Sequence, residues 1–352
     1  MQVSPTPSDA VKVPHQQLPK EATSAAVDLC EFSERDKPWD SHKSAVERVS
    51  GVYLGDAALR RRGVRMARCA DILGFGWECH PDNYGNPQST LRLRHAKFCR
   101  VRHCPICQWR RSMLWRARLY QALPSVLKAN PSAKWLFLTL TVRNCSMQDL
   151  RPTLQAMNQA WRRLCLRPEF SPVIGWLRTT EVTRGRDGQS AHPHFHCLLM
   201  VRSNMLTKNY VPQSRWVELW QSCARLDYPP VVDVRIVRER HPRPGEISEP
   251  KEVEGLPAAL ARAVAEVAKY ATKSGDMLMQ EDDGRWLKEM VRQTHKLRFV
   301  ASGGVLKDVL KFVEQEHNDD LLMQKSTPSP SEKPLDFHWQ TVRQRYTLFK
   351  KE

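Results

Sequence analysis

Ala191-His192-Pro193-His194-Phe195-His196-Cys197-Leu198-Leu199-Met200-Val201 sets two histidines around one bulky apolar residue and runs directly into an apolar stretch. This is the composition of a strand. Side chains alternate between the two faces of a strand, so His194 and His196 project together while Phe195 enters the core on the opposite side. Two imidazoles held this way form a bidentate metal clamp, although the pair standing alone reads equally well as half-exposed strand surface. Val173 to Thr183 reads as a second strand and Arg184-Gly185-Arg186-Asp187-Gly188 as a turn, so the two runs should pair as an antiparallel hairpin. That pairing brings Glu181 beside the histidines as the best third ligand. His192 is the runner-up, on the same face unless Pro193 breaks the strand. Two imidazoles and a carboxylate suit Mn²⁺ or Mg²⁺ in a site left open for phosphate oxygens.

Working outward, Trp135 to Val142 has strand composition, and Ser146 followed by Asp149 opens a helix whose apolar spacing persists to Leu164. A helix from about Ser214 to Arg225 and a strand from Val231 to Val237 follow. Ala258 to Lys273 is Ala-rich, free of Gly and Pro, and helical, with a further helix from Arg285 to Gln293. Strands and helices interleave with hairpins, which predicts an α+β fold: a central antiparallel sheet flanked by helices. On the Ala-rich helix, Glu266, Tyr270 and Lys273 share one face. The same pattern suits an ordinary amphipathic surface. Its chemical reading is a nucleophile with helpers: Tyr270 attacks phosphorus, Glu266 accepts a proton from the phenol or from water, and Lys273 stabilises phenolate or binds phosphate.

Lys and Arg outnumber Asp and Glu by 55 to 38 in the 352 residues, and from Asn83 to Gln148 there is no acidic residue at all. A one-signed field on that scale implies a polyanionic partner. No stretch approaches the ~18 apolar residues of a membrane span, and no signal-peptide core is present at the N-terminus, so a soluble, cytoplasmic protein without a membrane role is expected. Ten cysteines in such a compartment should be reduced. Cys99, Cys104 and Cys107 have zinc-knuckle spacing, with a fourth thiolate from Cys69 or Cys79 and with His80, His95 and His103 as substitutes. Cys30, Cys145, Cys165, Cys197 and Cys223 read as plain thiols. The chain divides into a disordered tail (1–43), a basic zinc-binding module (44–130), the sheet-and-helix domain (131–316), and a linker with a basic tail (317–352) in which Tyr346, in Arg-rich surroundings suited to approach DNA, is the one other tyrosine to test as a nucleophile.

Taken together, Leu138-Thr139-Leu140-Thr141, the His-Pro-His-Phe-His run, the helix with Glu266, Tyr270 and Lys273, and the preceding Cys99…Cys107-Gln108-Trp109-Arg110-Arg111 block resemble the rolling-circle replication initiators of small bacterial plasmids, in the HUH endonuclease superfamily. The resemblance spans about Cys69 to Ala301. It implies an HUH-type sheet and a single-tyrosine enzyme that nicks the plasmid's double-strand origin, single-stranded or cruciform at the nick. Tyr270 would keep a 5′-phosphotyrosine link and free a 3′-hydroxyl, with Mg²⁺ or Mn²⁺ on the catalytic site and structural Zn²⁺ on the cysteines. Host helicase and DNA polymerase are the implied partners. Glu266, four residues before the tyrosine, is implied to activate water in the terminating cleavage. Lys273 fits the family's Tyr-x-x-Lys spacing. The competing readings are a transposase of the same superfamily and a non-catalytic zinc-containing DNA-binding regulator.

Overall fold

The histidine strand lies at the centre of a five-stranded antiparallel sheet. The computed structural model describes residues 27–81, 87–238, 255–269, 277, 284–307 and 335–349. The strands are β1 (Ile72–Pro81), β2 (Pro87–Ala96), β3 (Lys134–Thr141), β4 (Val173–Arg184), β5 (Ala191–Val201), β6 (Val232–Ile236), β7 (Val300–Gly304), β8 (Leu335–Gln340) and β9 (Arg345–Leu348). The helices are α1 (Leu29–Phe32), α2 (Pro38–Leu54), α3 (Arg60–Ala67), α4 (Pro105–Ala129), α5 (Leu150–Cys165), α6 (Gln213–Ala224), α7 (Ala258–Val267) and α8 (Arg285–Gln293). The larger sheet runs β6-β3-β5-β4-β7 and the smaller β2-β1-β8-β9, with antiparallel pairing throughout. This is a mixed α+β chain with antiparallel sheets flanked by helices.

β5 is covered on both faces, which explains why its C-terminal half reads as an unbroken apolar run. Phe195, Cys197, Leu199 and Val201 join a core with Leu154, Met157 and Trp161 of α5 and Trp216 and Trp220 of α6. Leu198 and Met200 face the other way, into a core with Leu119 and Leu123 of α4 and Leu260, Val264 and Val267 of α7. A slip of one residue would push the histidines into the first core without polar partners and set Phe195 among the polar groups around Glu181. The cost of burying two unpartnered imidazoles pins the register.

The β4–β5 turn is locked by Asp187, whose Oδ1 accepts from the backbone N–H of Gln189 (3.0 Å) and Ser190 (2.9 Å) and from the Ser190 hydroxyl (2.8 Å). Gly188 takes the left-handed conformation there (φ 71°). Pro193 does not break the strand. Ala191 and Cys145 exchange backbone hydrogen bonds of 2.9 Å each way, so the backbone of alternate residues from Ala191 points toward the β3 side. β3 ends at Thr141, opposite His194. The missing N–H of Pro193 thus faces a gap in the ladder.

The two ends of the chain depart from expectation. Residues 1–26 lie outside the described residues, but 27–43, expected in a disordered tail, are ordered: α2 begins at Pro38 and Trp39 is buried. The Pro- and Ser-rich composition hides an apolar stripe at Trp39, Val46, Val49 and Tyr53, spaced for one helical face. At the other end, residues 335–349, expected in a linker and tail, form β8 and β9 against β1. Leu335, Phe337 and Trp339 alternate with polar residues, the period of a half-buried strand. Tyr346 is no candidate nucleophile: it is fully buried and its hydroxyl donates to the Ala70 carbonyl at 2.6 Å. Burial pushes its pKa well above the ordinary phenol value.

Candidate metal centres and their surroundings

Glu181 stands directly across from His194 in the β4–β5 ladder, and Thr139 and Thr179 flank His196 from β3 and β4. All these side chains fall on the α7 face of the sheet. Glu181 Oε2 lies 3.2 Å from His194 Nε2 and 3.0 Å from His196 Nε2. Each ring is held from behind: His196 Nδ1 is 3.3 Å from Thr139 Oγ1, and His194 Nδ1 is 3.2 Å from the His192 carbonyl. A carbonyl only accepts, so His194 donates to it from Nδ1 and turns Nε2 toward the Glu181 carboxylate. His192 is not part of the donor set; its Nδ1 pairs with Asn144 Oδ1 at 2.8 Å. Burial pushes the Glu181 carboxyl up, but hydrogen bonds from His194 and His196 outweigh it and hold the group well below the usual carboxylate range.

One carboxylate oxygen and two imidazole nitrogens within 4.8 Å of one another form a donor set that could hold a divalent cation. The backing hydrogen bonds are those a metal-ligating histidine needs.

The four sulfurs of Cys69, Cys99, Cys104 and Cys107 form a second group, all buried. Their Sγ–Sγ distances are 3.7 Å for Cys69–Cys107, 3.7 Å for Cys99–Cys107 and 3.6 Å for Cys69–Cys104. A tetrahedral zinc with bonds of about 2.3 Å sets its sulfurs about 3.8 Å apart, so the donors fit that ion. Cys104 caps α4 and Cys107 lies on its first turn, where the helix dipole favours thiolate. Backbone N–H groups of Cys99, Arg100 and Val101 donate to sulfurs of the group at 3.3–3.4 Å. The fourth sulfur is that of Cys69; the side chains of Cys79 and His80 lie outside the described residues. His95 pairs with Asp336 (3.3 Å) and His103 with the Tyr53 hydroxyl (3.2 Å), so neither belongs to the cluster.

Tyr270 and Lys273 also lie outside the described residues. The helix expected over Ala258 to Lys273 ends at Val267, its cap Ala268 bonding back to Val264: α7 packs on the histidine face, and Val267, Ala268 and Lys269 border a small pocket with Leu177 and Thr179 of β4. Thr179 is two residues from Glu181 on the same face. Glu266 is half-exposed and ion-paired with Lys269.

Comparison with known proteins is decisive for the family. A family model described as "Replication protein" matches residues 90–347. The chain belongs to this replication-protein family. It is 33% identical over 292 residues to a "Protein rep" of Lactiplantibacillus plantarum, covering 80% of this chain and 85% of that one. To a "Protein rep" of Bacillus amyloliquefaciens it is 32% identical over 278 residues, 77% of each, and to one of Streptococcus pneumoniae 28% over 294 residues, 82% and 84%. No solved structure matches.

In this replication protein the roles of several supporting groups are not marked in the sequence, Thr139 among them although it lies in the Leu138-Thr139-Leu140-Thr141 run. Thr139 and Asn144 reach the histidines only through long-range pairing. Lys43 is buried, its ammonium donating to the carbonyls of Ala67 (3.0 Å) and Cys69 (2.9 Å) and to Asp71 (2.6 Å), which ties α2 to the cysteine loop. Lys269 could have been found from its spacing to Glu266. A groove of about 1440 Å³ also opens at the β4–β5 turn, beside Asn144, with Arg184, Arg186, Arg285, Lys288 and Arg292 on its walls. Among the described residues no helix is long and apolar enough to cross a membrane.

Proposed function

We propose that this replication protein initiates rolling-circle replication of a plasmid as a metal-dependent HUH endonuclease, nicking one strand of the origin through Tyr270. The observation that carries the reading is the convergence of Glu181, His194 and His196 on the sheet face where α7 ends, two residues before Lys269 leads into Tyr270. Membership in a replication-protein family favours an initiator over a transposase or a regulator.

Glu181, His194 and His196 would hold a divalent cation, Mg²⁺ or Mn²⁺, which would supply Lewis acidity at the scissile phosphodiester. Thr139 and the His192 carbonyl hold the rings, so the ligands need no reorganisation. The Tyr270 oxygen forms a bond to phosphorus, the bond from phosphorus to the 3′-oxygen breaks, and that oxygen takes a proton from solvent to become a 3′-hydroxyl while the 5′-phosphate stays on the enzyme. Lys273 stabilises the phenolate. Glu266, freed from Lys269, takes a proton from the phenol or, at termination, from the water that ends the round. The basic groove at the β4–β5 turn guides the single strand toward this face. Zinc on Cys69, Cys99, Cys104 and Cys107 has a structural role.

The test is incubation of the protein with single-stranded origin DNA and Mn²⁺ or Mg²⁺, resolving covalent adducts on a denaturing gel. Tyr270→Phe abolishes the adduct while leaving DNA binding in place; an unchanged yield removes Tyr270 as nucleophile. DNA binding by the unaltered protein with no cleavage under any metal supports the regulator.

A further inference from the structure

A second basic centre lies away from the histidines. A cavity of about 220 Å³ opens between the cysteine loop and the turn after α8, lined by Arg62, Arg65, Arg100, Arg102, Lys296 and Thr294 among others, with no carboxylate among the described residues of its wall. A recess walled by charge of one sign favours an anion, even with Arg65 and Arg102 also donating to backbone carbonyls.

Two of these residues take an unusual backbone. Arg100 and Lys296 are both left-handed, at φ 58° and 61°, a conformation that glycine adopts without strain. The Arg100 N–H donates to Cys107 Sγ at 3.3 Å, so the cysteine turn itself sets that arginine on the rim. Lys296 sits in the turn closed by the Leu297 N–H to Thr294 carbonyl bond of 3.1 Å. Basic residues at both positions, where glycine would cost nothing sterically, point to a use for the charge.

The cavity is joined to the histidine face. Arg102 donates to the carbonyls of Thr294 and Leu297, each at 2.8 Å, and its guanidinium stacks 4.2 Å from the Phe299 ring centroid. Phe299 in turn accepts a 2.7 Å hydrogen bond from the Thr180 N–H through its carbonyl and lines the small pocket at the end of α7. A continuous path of touching residues thus runs from the cavity to the residue beside Glu181.

We propose that this cavity clamps one or two consecutive phosphates of the DNA backbone flanking the nicked bond, fixing the distance between the cysteine module and the nicking face. The inference rests on the nicking reading only for what the clamp serves. A polymer is favoured over a free anion because Arg100 and Arg102 belong to the acid-free run from Asn83 to Gln148, which continues along α4 beyond the cavity.

The test uses Arg62→Ala and Lys296→Gly in the full chain. Both sites are exposed, and the glycine keeps the left-handed turn; Arg65 is left intact because it donates to the Cys99 carbonyl at 2.5 Å. Binding to labelled DNA of unrelated sequence is measured across a salt series with no divalent metal added. The slope of log affinity against log salt should become shallower by about 0.9 for each phosphate that is no longer neutralised. Affinity at low salt should fall for origin and unrelated DNA alike, and Lys296→Arg should preserve both. Unchanged slope and affinity in the two neutral variants, with thermal midpoints like the wild type, overturn the clamp. So does a weakening confined to pyrophosphate binding, which would make the cavity a free-anion site. No bond is cut in this assay, so it stands if Tyr270 proves not to be a nucleophile, just as the adduct assay stands if the clamp fails.

Discussion

Thr139 and Glu181 make the same point from opposite sides. Glu181 is readable from the sequence because a short turn between two strand-like runs fixes which residues face each other, and the period of two then puts a carboxylate beside His194. Thr139, which holds His196 Nδ1 at 3.3 Å, is not. Its register with β5 is set across a chain separation that includes α5 and β4, and no local rule supplies it. Removing an outer hydrogen bond of this kind typically costs ~10–100-fold in metal affinity. Thr139→Val should therefore weaken Mn²⁺ binding about tenfold, checked by calorimetric titration, with the fold intact; wild-type affinity would show that the ring is oriented without it. The cysteines follow the same logic. Spacing marks Cys99, Cys104 and Cys107, but the choice of Cys69 depends on α2 and α3, where buried Lys43 fastens the Cys69 carbonyl.

At the scale of elements, α5 and α8 are legible from an apolar spacing of about 3.6 and β3 and β5 from short apolar runs, whereas β7, Val-Ala-Ser-Gly-Gly, carries neither signal. The C-terminal strands escape a sequence reading because the basic charge around them masks the alternation of Leu335, Phe337 and Trp339. These strands cover one edge of β1 and bury Phe337 and Tyr346. Removing two such aromatics costs roughly 3–5 kcal/mol each, close to the whole stability of a domain. A chain ending at residue 334 should lose the cooperative unfolding of the cysteine module, followed by denaturant titration; unchanged unfolding would make β8 and β9 an ornament. The cysteine cluster gives a parallel expectation. The protein should carry one zinc per chain by elemental analysis, and strong chelation should lower its thermal midpoint and shift the fluorescence of Trp39 and Trp109, which pack at 4.8 Å between ring centroids in the same core. Chelation with no change in either would leave the sulfurs as buried thiols.

Across the whole molecule, two antiparallel sheets are tied together by α4, whose first turn carries Cys107 and whose later residues Leu119 and Leu123 pack with α7 over the histidine face. On the proposed reading, DNA held at the basic, cysteine-bearing end is linked through α4 to the face where α7 ends. The central claim is that the oxygen of Tyr270, brought to that face, becomes bonded to the 5′-phosphate of the nicked strand. Trypsin cuts after Lys269 and Lys273, so the peptide Tyr270-Ala271-Thr272-Lys273 isolates the nucleophile. Mass spectrometry of the digested, nuclease-trimmed adduct formed with Mn²⁺ and origin DNA should find a nucleotide on this peptide. A nucleotide on any other peptide, or nicked DNA with no protein attached, would contradict the account.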